Sequence, residues 1–330
     1  MTGRRSPRPV SAAWPRSTRS ASSTRAADPA HRPARVDKLL LKQCLYHGSW
    51  LALPFIAWLL WRLRRPRHRW LAVVLLVPSL AFAWARFVEP RIIRVHETTL
   101  EGTGLKADIA LVSDIHLGVY KDRAFLERVV DRINTLPVQA VAIAGDFTYE
   151  PAEHSLAAMF APLARLRVPV YAVLGNHDQQ APGPDIDLAL REALRGHGVR
   201  VIEGGIVDAG GYRWAGLGDR WAGKDDPEFL RISPSPLPTL VLAHNPDSAT
   251  GLARTDATLL LAGHTHGGQI RIPWLYRRVI PSAHGFDRGE QVVRGVDGEV
   301  RVFTTAGVGE IGLPMRLFNP PTIDVLHLRP

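Results

Sequence analysis

The sequence predicts an α/β domain preceded by one or two membrane-crossing helices. Three observations carry that expectation. From about residue 91 onward, short apolar runs alternate with amphipathic stretches, the pattern of strands and their covering helices. Ahead of them lie two apolar segments, at about 45–61 and 70–88, each close to the ~17–20 residues that cross a bilayer. Five of the later apolar runs end in residues that bind metals or move protons.

Charge separates the arm from the body. The chain has 330 residues and a net charge of +10. Residues 1–97 hold 18 Lys and Arg against 4 Asp and Glu, which leaves 23 against 27 for the rest. The basicity therefore belongs to the N-terminal arm, and the body is mildly acidic. That argues against a body built to follow a phosphate backbone, so no nucleic-acid partner is expected. It suits an arm placed by a lipid bilayer. A hydrophobic fraction of 46% is enough for a sizeable core. The single cysteine, Cys44, permits no intrachain disulfide and leaves the compartment open.

Residues 1–38 are rich in Arg, Ser, Pro and Ala without hydrophobic period, and read as a disordered basic tail. Arg4-Arg5 resembles a twin-arginine signal, but no apolar stretch follows closely. Residues 39–90 hold the two apolar segments, joined by the arginine-rich loop 62–69. Trp50, Trp58, Trp61, Trp70 and Trp84 suit anchoring at a membrane interface. The alternative is a pair of buried core helices. Tail and loop both favour the cytoplasm, yet a two-span hairpin puts them on opposite faces, so the side of the body stays open.

The body, 91–330, then runs through its elements. A strand at 107–112 ends in Ser113-Asp114-Ile115-His116. A helix at 122–135 puts Phe125, Leu126, Val129, Val130 and Ile133 on one face. A strand at 138–144 ends in Gly145-Asp146; a helix at 153–166 precedes a strand at 168–174 that ends in Gly175-Asn176-His177-Asp178. A helix at 186–195 leads into strands at 199–202, 206–208 and 213–216. The run 240–243 delivers His244, and 258–262 delivers Gly263-His264-Thr265-His266-Gly267-Gly268-Gln269. Strands at 300–304 and 322–328 close the chain.

In open α/β sheets, sites form outside the carboxyl ends of the strands. The candidates there are Asp114, His116, Asp146, Asn176, His244, His264 and His266, with His177 beside them. Two histidines at i and i+2 in extended backbone point to one side. A single such ending is often only a helix cap, but five with shared ligand chemistry point to metal. Carboxylate, amide and imidazole donors suit Mn, Fe or Zn, and the absence of thiolate speaks against a closed structural zinc site.

These blocks, in this order and spacing, resemble the calcineurin-like metallophosphoesterases over about residues 107–328. The stretch His264 to Ile270, with Gly309-Glu310-Ile311-Gly312-Leu313-Pro314 and Asn319-Pro320-Pro321, is similar to their bacterial membrane-anchored branch. The resemblance implies a four-layer αββα sandwich, two divalent metal ions (Mn first, Fe or Zn as alternatives) and a place at the bacterial inner (plasma) membrane. It implies that Asp114, His116 and His266 hold one ion, that Asn176, His244 and His264 hold the other, and that Asp146 bridges them. His177 would serve the leaving oxygen, with Asp178 orienting it. The implied activity is hydrolysis of a phosphodiester or pyrophosphate bond. UDP-2,3-diacylglucosamine is the leading lipid-linked substrate; outward-facing envelope phospholipid esters and a non-catalytic scaffold are the alternatives. Glu150 only approximates an acid that many relatives place after the Gly-Asp block. No lid-like helical insertion is present, and the apolar loops at 274–276 and 313–318 are candidates to meet lipid, core packing being the other reading.

Overall fold

A computed structural model describes residues 38–67, 69–179 and 185–330. Of the expected basic tail, residues 1–37 lie outside that description, as does the Arg4-Arg5 pair. Lys38 already opens the first helix. That helix, α1 (Lys38–Gly48), continues through one 3-10 turn into α2 (Ala52–Arg62), and α3 (Arg69–Ala83) continues to Arg91. The rods Lys38–Arg62 and Arg69–Arg91 are long and apolar enough to cross a membrane, with 11% and 17% of their most apolar windows buried. So little burial removes the reading of them as core helices. Length and composition of this kind are shared by membrane anchors and signal sequences.

The body holds two six-stranded sheets. Its strands, in chain order, are β1 (Arg94–Leu100), β2 (Ala107–Val112), β3 (Leu117–Gly118), β4 (Ala140–Ala144), β5 (Thr148–Tyr149), β6 (Val170–Val173) and β7 (Val199–Val201), then β8 (Ile206–Ala209), β9 (Tyr212–Gly216), β10 (Thr239–Leu242), β11 (Leu259–Ala262), β12 (Gly289–Arg294), β13 (Glu299–Thr304) and β14 (Thr322–Leu328). The first sheet has the order β1-β14-β2-β4-β6-β7 and the second β12-β13-β11-β10-β9-β8, while β3 and β5 make a short ladder of their own. Both large sheets are mixed. β14 runs against β2, and β12 and β8 run against their neighbours.

Alternation along the strands builds two cores from one sheet. Ile109 and Leu111 point inward to meet Trp214, Leu240, Leu242, Leu259 and Leu261 of the second sheet. Ala110 and Val112 point outward to α4 (Arg123–Ile133), whose Phe125, Leu126, Val129, Val130 and Ile133 form the expected apolar face. Asp122 caps that helix by accepting the Phe125 N–H at 2.9 Å. The helix expected at 153–166 is broken: α5 (Leu156–Phe160) is flanked by 3-10 turns, the second carrying Pro162 at its start. α6 (Asp187–Gly196) completes the outer layer on the first sheet. On the second sheet the cover is thinner, with the short α7 (Glu228–Arg231) and 3-10 turns.

Besides the two-residue β3 and β5, two strands of the large sheets escape a reading by apolar runs. β1, Arg-Val-His-Glu-Thr-Thr-Leu, is an edge strand largely exposed before Leu100, and β12 is an edge strand exposed at every second residue. Edge positions need only every second residue apolar, so no continuous run marks them.

Candidate metal centre

The candidate residues sit where five buried strands release the chain. Asp114 and His116 follow β2, Asp146 follows β4, Asn176 to Asp178 follow β6, His244 follows β10, and His264 and His266 follow β11. Parallel register brings these ends level, with Val112 opposite Ile143, Ala144 opposite Val173 and Leu242 opposite Leu261. All are buried.

The histidine stretch is not extended, contrary to the expectation. His264 and His266 have φ of 69° and 51°, and Asp114, His116 and Asp146 have 52°, 51° and 54°. Left-handed backbone is uncommon outside glycine and stores strain, which folds carry mainly at functional sites. The imidazoles converge because tight turns swing them inward, not because a strand alternates. Gly263 and Gly175 permit the close approach. A Cβ on Gly263 would collide with the Ser113 side chain and lie 2.7 Å from Asp114 Oδ2, and one on Gly175 would strike the Asp146 carboxylate.

Two groups of donor atoms result. In the first, His116 Nε2 and His266 Nε2 are 3.1 Å apart, with Asp114 Oδ1 at 3.3 Å from His266 and 3.9 Å from His116. In the second, His244 Nε2 lies 3.1 Å from Asn176 Oδ1 and 3.1 Å from His264 Nδ1. Asp146 Oδ2 falls between the groups, 3.5 Å from His116 Nε2 and 3.2 Å from His244 Nε2. Neighbouring ligands about 2.1 Å from a shared cation stand about 3.0–3.4 Å from one another, a spacing that all these pairs but the two from His116 to Asp114 and Asp146 meet.

Hydrogen bonding supports the fit. Asp114 Oδ2 accepts from the Ser113 hydroxyl and, at 3.0 Å, from the His264 N–H, while Oδ1 is buried without a donor. A buried carboxylate oxygen facing imidazole nitrogens calls for a cation. His116 Nδ1 and His244 Nδ1 face the Thr148 and Ala144 carbonyls at 3.1 and 2.8 Å. Carbonyls only accept, so each Nδ1 carries the proton and each Nε2 faces the centre, the arrangement metal-binding histidines use.

Burial pushes His116 and His264 down to about 3 and His266 well below the usual range, which keeps their lone pairs free. Burial also disfavours charge on His244, but the Asp146 carboxylate outweighs it and raises His244 to about 10. Burial opposes the Asp146 charge too; His244 foremost, with His177 and His116, holds that group well below the carboxylate range. Burial lifts Asp114 to about 6. Without metal, His244 is thus the protonated partner of the Asp146 carboxylate, and His116, His264 and His266 stay neutral.

His177 donates its backbone N–H to Asp146 Oδ1 at 3.0 Å, and its ring lies 5.1 Å, edge-on, from that of His116. Asp178 does not fill the orienting role expected of it. Both carboxylate oxygens are taken by the backbone N–H groups of Phe147, Thr148 and Gly175 at 3.0, 3.0 and 3.1 Å and by the Thr148 hydroxyl at 2.7 Å. It ties the Asp146 loop to the His177 loop instead. Glu150 pairs with Lys42 of α1 at 2.5 Å, and the Lys42 ammonium lies 4.1 Å from the Tyr149 ring centre.

Four further residues at the site carry roles that the sequence did not assign to them. Asp219 is fully buried after β9, and burial raises its carboxyl; Gly218-Asp219 repeats the Gly145-Asp146 signal. Trp221 sets its ring 4.5 Å, edge-on, from His264. Asn319 donates from Nδ2 to the His266 carbonyl at 2.6 Å. Tyr149 sits 5.5 Å from His177 and carried no ligand chemistry to flag it. A cavity of about 340 Å³ opens over the donors, and its far wall is apolar, with Ile270, Val279, Pro281, Ile311 and Leu313.

The model for the calcineurin-like phosphoesterase family matches residues 107–268, from β2 to the end of the histidine loop. These residues belong to that family, and the chain is a metallophosphoesterase, a phosphoric ester hydrolase with a buried His/Asp metal site. Among its relatives, phosphodiesterase YaeI of Escherichia coli (strain K12) is 27% identical over 262 residues, covering 76% of this chain and 93% of the relative. The uncharacterized metallophosphoesterase YkuE of Bacillus subtilis (strain 168) is 29% identical over 265 residues, covering 75% and 90%. The UDP-2,3-diacylglucosamine pyrophosphatase LpxG of Chlamydia trachomatis is 26% identical over 274 residues, covering 62% and 78%.

Proposed function

We propose that this chain is a membrane-anchored, dinuclear-metal hydrolase that cleaves a phosphodiester or pyrophosphate bond in a lipid-linked substrate. The observation that carries the reading is Asp146 Oδ2, placed between His116 Nε2 and His244 Nε2 at 3.5 and 3.2 Å. Asp114, His116 and His266 would hold one ion, Asn176, His244 and His264 the other, and Asp146 both. Two such ions, Mn first in preference with Fe or Zn as alternatives, supply Lewis acidity to the phosphoryl oxygens and activate water at neutral pH. The chain's own residues do the rest. Thr148 and Ala144 carbonyls orient the ligand rings, Asp178 locks the two loops together, and the His177 ring stands at the cavity where a leaving oxygen needs a proton or a hydrogen bond.

The apolar wall of the cavity and the exposed apolar hairpin support a lipid-linked substrate. In this reading residues 1–38 are a basic tail, 39–90 the anchor and 91–330 a four-layer catalytic domain of the membrane-anchored branch, at the bacterial inner membrane. UDP-2,3-diacylglucosamine, whose pyrophosphate the Chlamydia relative is named for, is the named candidate. It requires a cytoplasmic body, whereas an outward body selects envelope phosphodiesters.

Asp146→Asn tests the mechanism: loss of about 10³ in kcat on bis-p-nitrophenyl phosphate is expected, the scale at which removing a charge stabiliser acts. Turnover that survives the change overturns the dinuclear reading. Wild-type enzyme that cleaves the aryl ester but leaves UDP-2,3-diacylglucosamine intact removes the named substrate and retains the reaction class.

A further inference from the structure

Two loops at the cavity mouth turn their largest apolar side chains outward. In the loop 272–279, Ile272, Trp274, Leu275 and Val279 are exposed, Trp274 by 78%, and Arg277 and Arg278 lie exposed among them. In the loop 313–318, Leu313 and Phe318 are exposed, Phe318 by 67%. Trp274 and Phe318 both have positive φ, 61° and 56°. Aromatic residues adopt that backbone at a cost, and here it is spent on holding rings in the open. Val279 and Leu313 also line the wall of the catalytic cavity, so the patch and the cavity share an edge.

The two loops form one unit. Arg271 donates its N–H to the Leu317 carbonyl at 2.9 Å, and Leu317 returns one to Gln269 at 3.1 Å. Gln269 pins the other end by donating to the Ile311 and Leu313 carbonyls at 2.9 and 3.0 Å. That unit is fastened to the end of the second apolar rod. The Arg316 N–H reaches the Ala85 carbonyl at 2.9 Å, and the Asn319 N–H reaches Glu89 Oε1 at 2.5 Å. Phe318, between Arg316 and Asn319, therefore leaves the body beside the residues where the rod meets it.

We infer that this patch docks on the same lipid surface that receives the helical hairpin, so that the catalytic cavity opens at the headgroup level. The occupant is a bilayer containing anionic lipid. Exposed Trp, Phe, Leu and Ile flanked by arginines have the composition of an interfacial segment, the rings entering the acyl boundary and the guanidinium groups meeting phosphates. Attachment to Ala85 and Glu89 sets the depth. A lipid-linked substrate then presents its phosphate to the donors while its chains stay along the apolar wall. This inference rests on the proposed insertion of the hairpin, and the test separates the two.

The full-length chain carrying Cys44→Ser is labelled with an environment-sensitive fluorophore at one introduced cysteine and reconstituted in phosphatidylcholine–phosphatidylglycerol vesicles with doxyl-labelled lipid. The sites are Trp274→Cys, Phe318→Cys, Leu60→Cys in the hairpin and Val296→Cys, which is 64% exposed on the turn between β12 and β13. Quenching at 274 and 318 at least twofold above that at 296 is expected, with Leu60 quenched as well. Quenching at Leu60 but not at 274 and 318 overturns the docking surface and spares the anchor. No quenching at Leu60 overturns both. None of these readouts depends on the substrate's identity.

Discussion

His264 and His266 are two residues apart yet face different donor groups, His266 toward Asp114 and His116, His264 toward His244. Each should therefore control a different ion. His264→Ala and His266→Ala are each expected to lower metal content from two ions per chain to about one, measured by plasma mass spectrometry after gel filtration. Equal loss of both ions in either variant would contradict the division. A second residue-scale case concerns pH. The Asp324 carboxylate, 2.9 Å away, accepts a hydrogen bond from His96 across the β1–β14 pair and raises its pKa. A raised folded pKa stabilises the protein fully below the unfolded value of about 6.5 and loses that contribution as pH rises through the folded value. The deficit in Tm of His96→Ala against the parent should be larger at pH 5.5 than at pH 8.5 in scanning calorimetry.

At the scale of elements, α4 shows how local chemistry and tertiary demand agree. Its apolar face was legible from spacing, and Asp122 caps it in the structure. Asp122→Ala should cost about 1 kcal/mol, read as a fall in the urea midpoint of the detergent-solubilised protein at unchanged slope. The stretch 153–166 shows disagreement. Its helical spacing is real, but Pro162 lacks the N–H an uninterrupted helix needs, so the chain divides into three short turns. β1 and β12 were illegible for the opposite reason: solvent exposure at a sheet edge removes the apolar run by which a strand is read. The first apolar rod does more than its hydropathy announces. Lys42, four residues into it, reaches Glu150 and Tyr149, so the rod packs on the ring that stands 5.5 Å from His177.

For the whole molecule, the centre joins two sheets. Asp114, Asp146 and Asn176 come from the first, while His244, His264 and His266 come from the second. Metal held by these residues would fasten the sheets together across their open ends, and removing it should loosen the whole body. Binding at a hundred times Kd stabilises the fold by about 2.7 kcal/mol per site. Dialysis against chelator is expected to lower Tm by several degrees, with recovery on adding Mn, and an unchanged Tm would show that the sheets hold without it.

The candidate donor chemistry was readable from the chain alone. Apolar runs ending in Asp, Asn and His mark strand ends, and strand ends are where an α/β sheet exposes polar groups, so ligand types and their order were readable before any fold. The sequence also determined that the arm and the body differ, through charge and hydropathy. Only the tertiary structure decided the geometry. Asp114, His116, Asp146, His264 and His266 take left-handed turns, and glycines distant in the chain make room for two of them, Gly263 against Asp114 and Gly175 against Asp146. Asp178 looked like a partner of its neighbour and became a clasp between loops, because three backbone N–H groups donate to its carboxylate. Trp274 and Phe318 could equally have packed in a core. Which side of the surface they take is settled by the loops' attachment to Gln269, Leu317 and Ala85, and no local pattern encodes it.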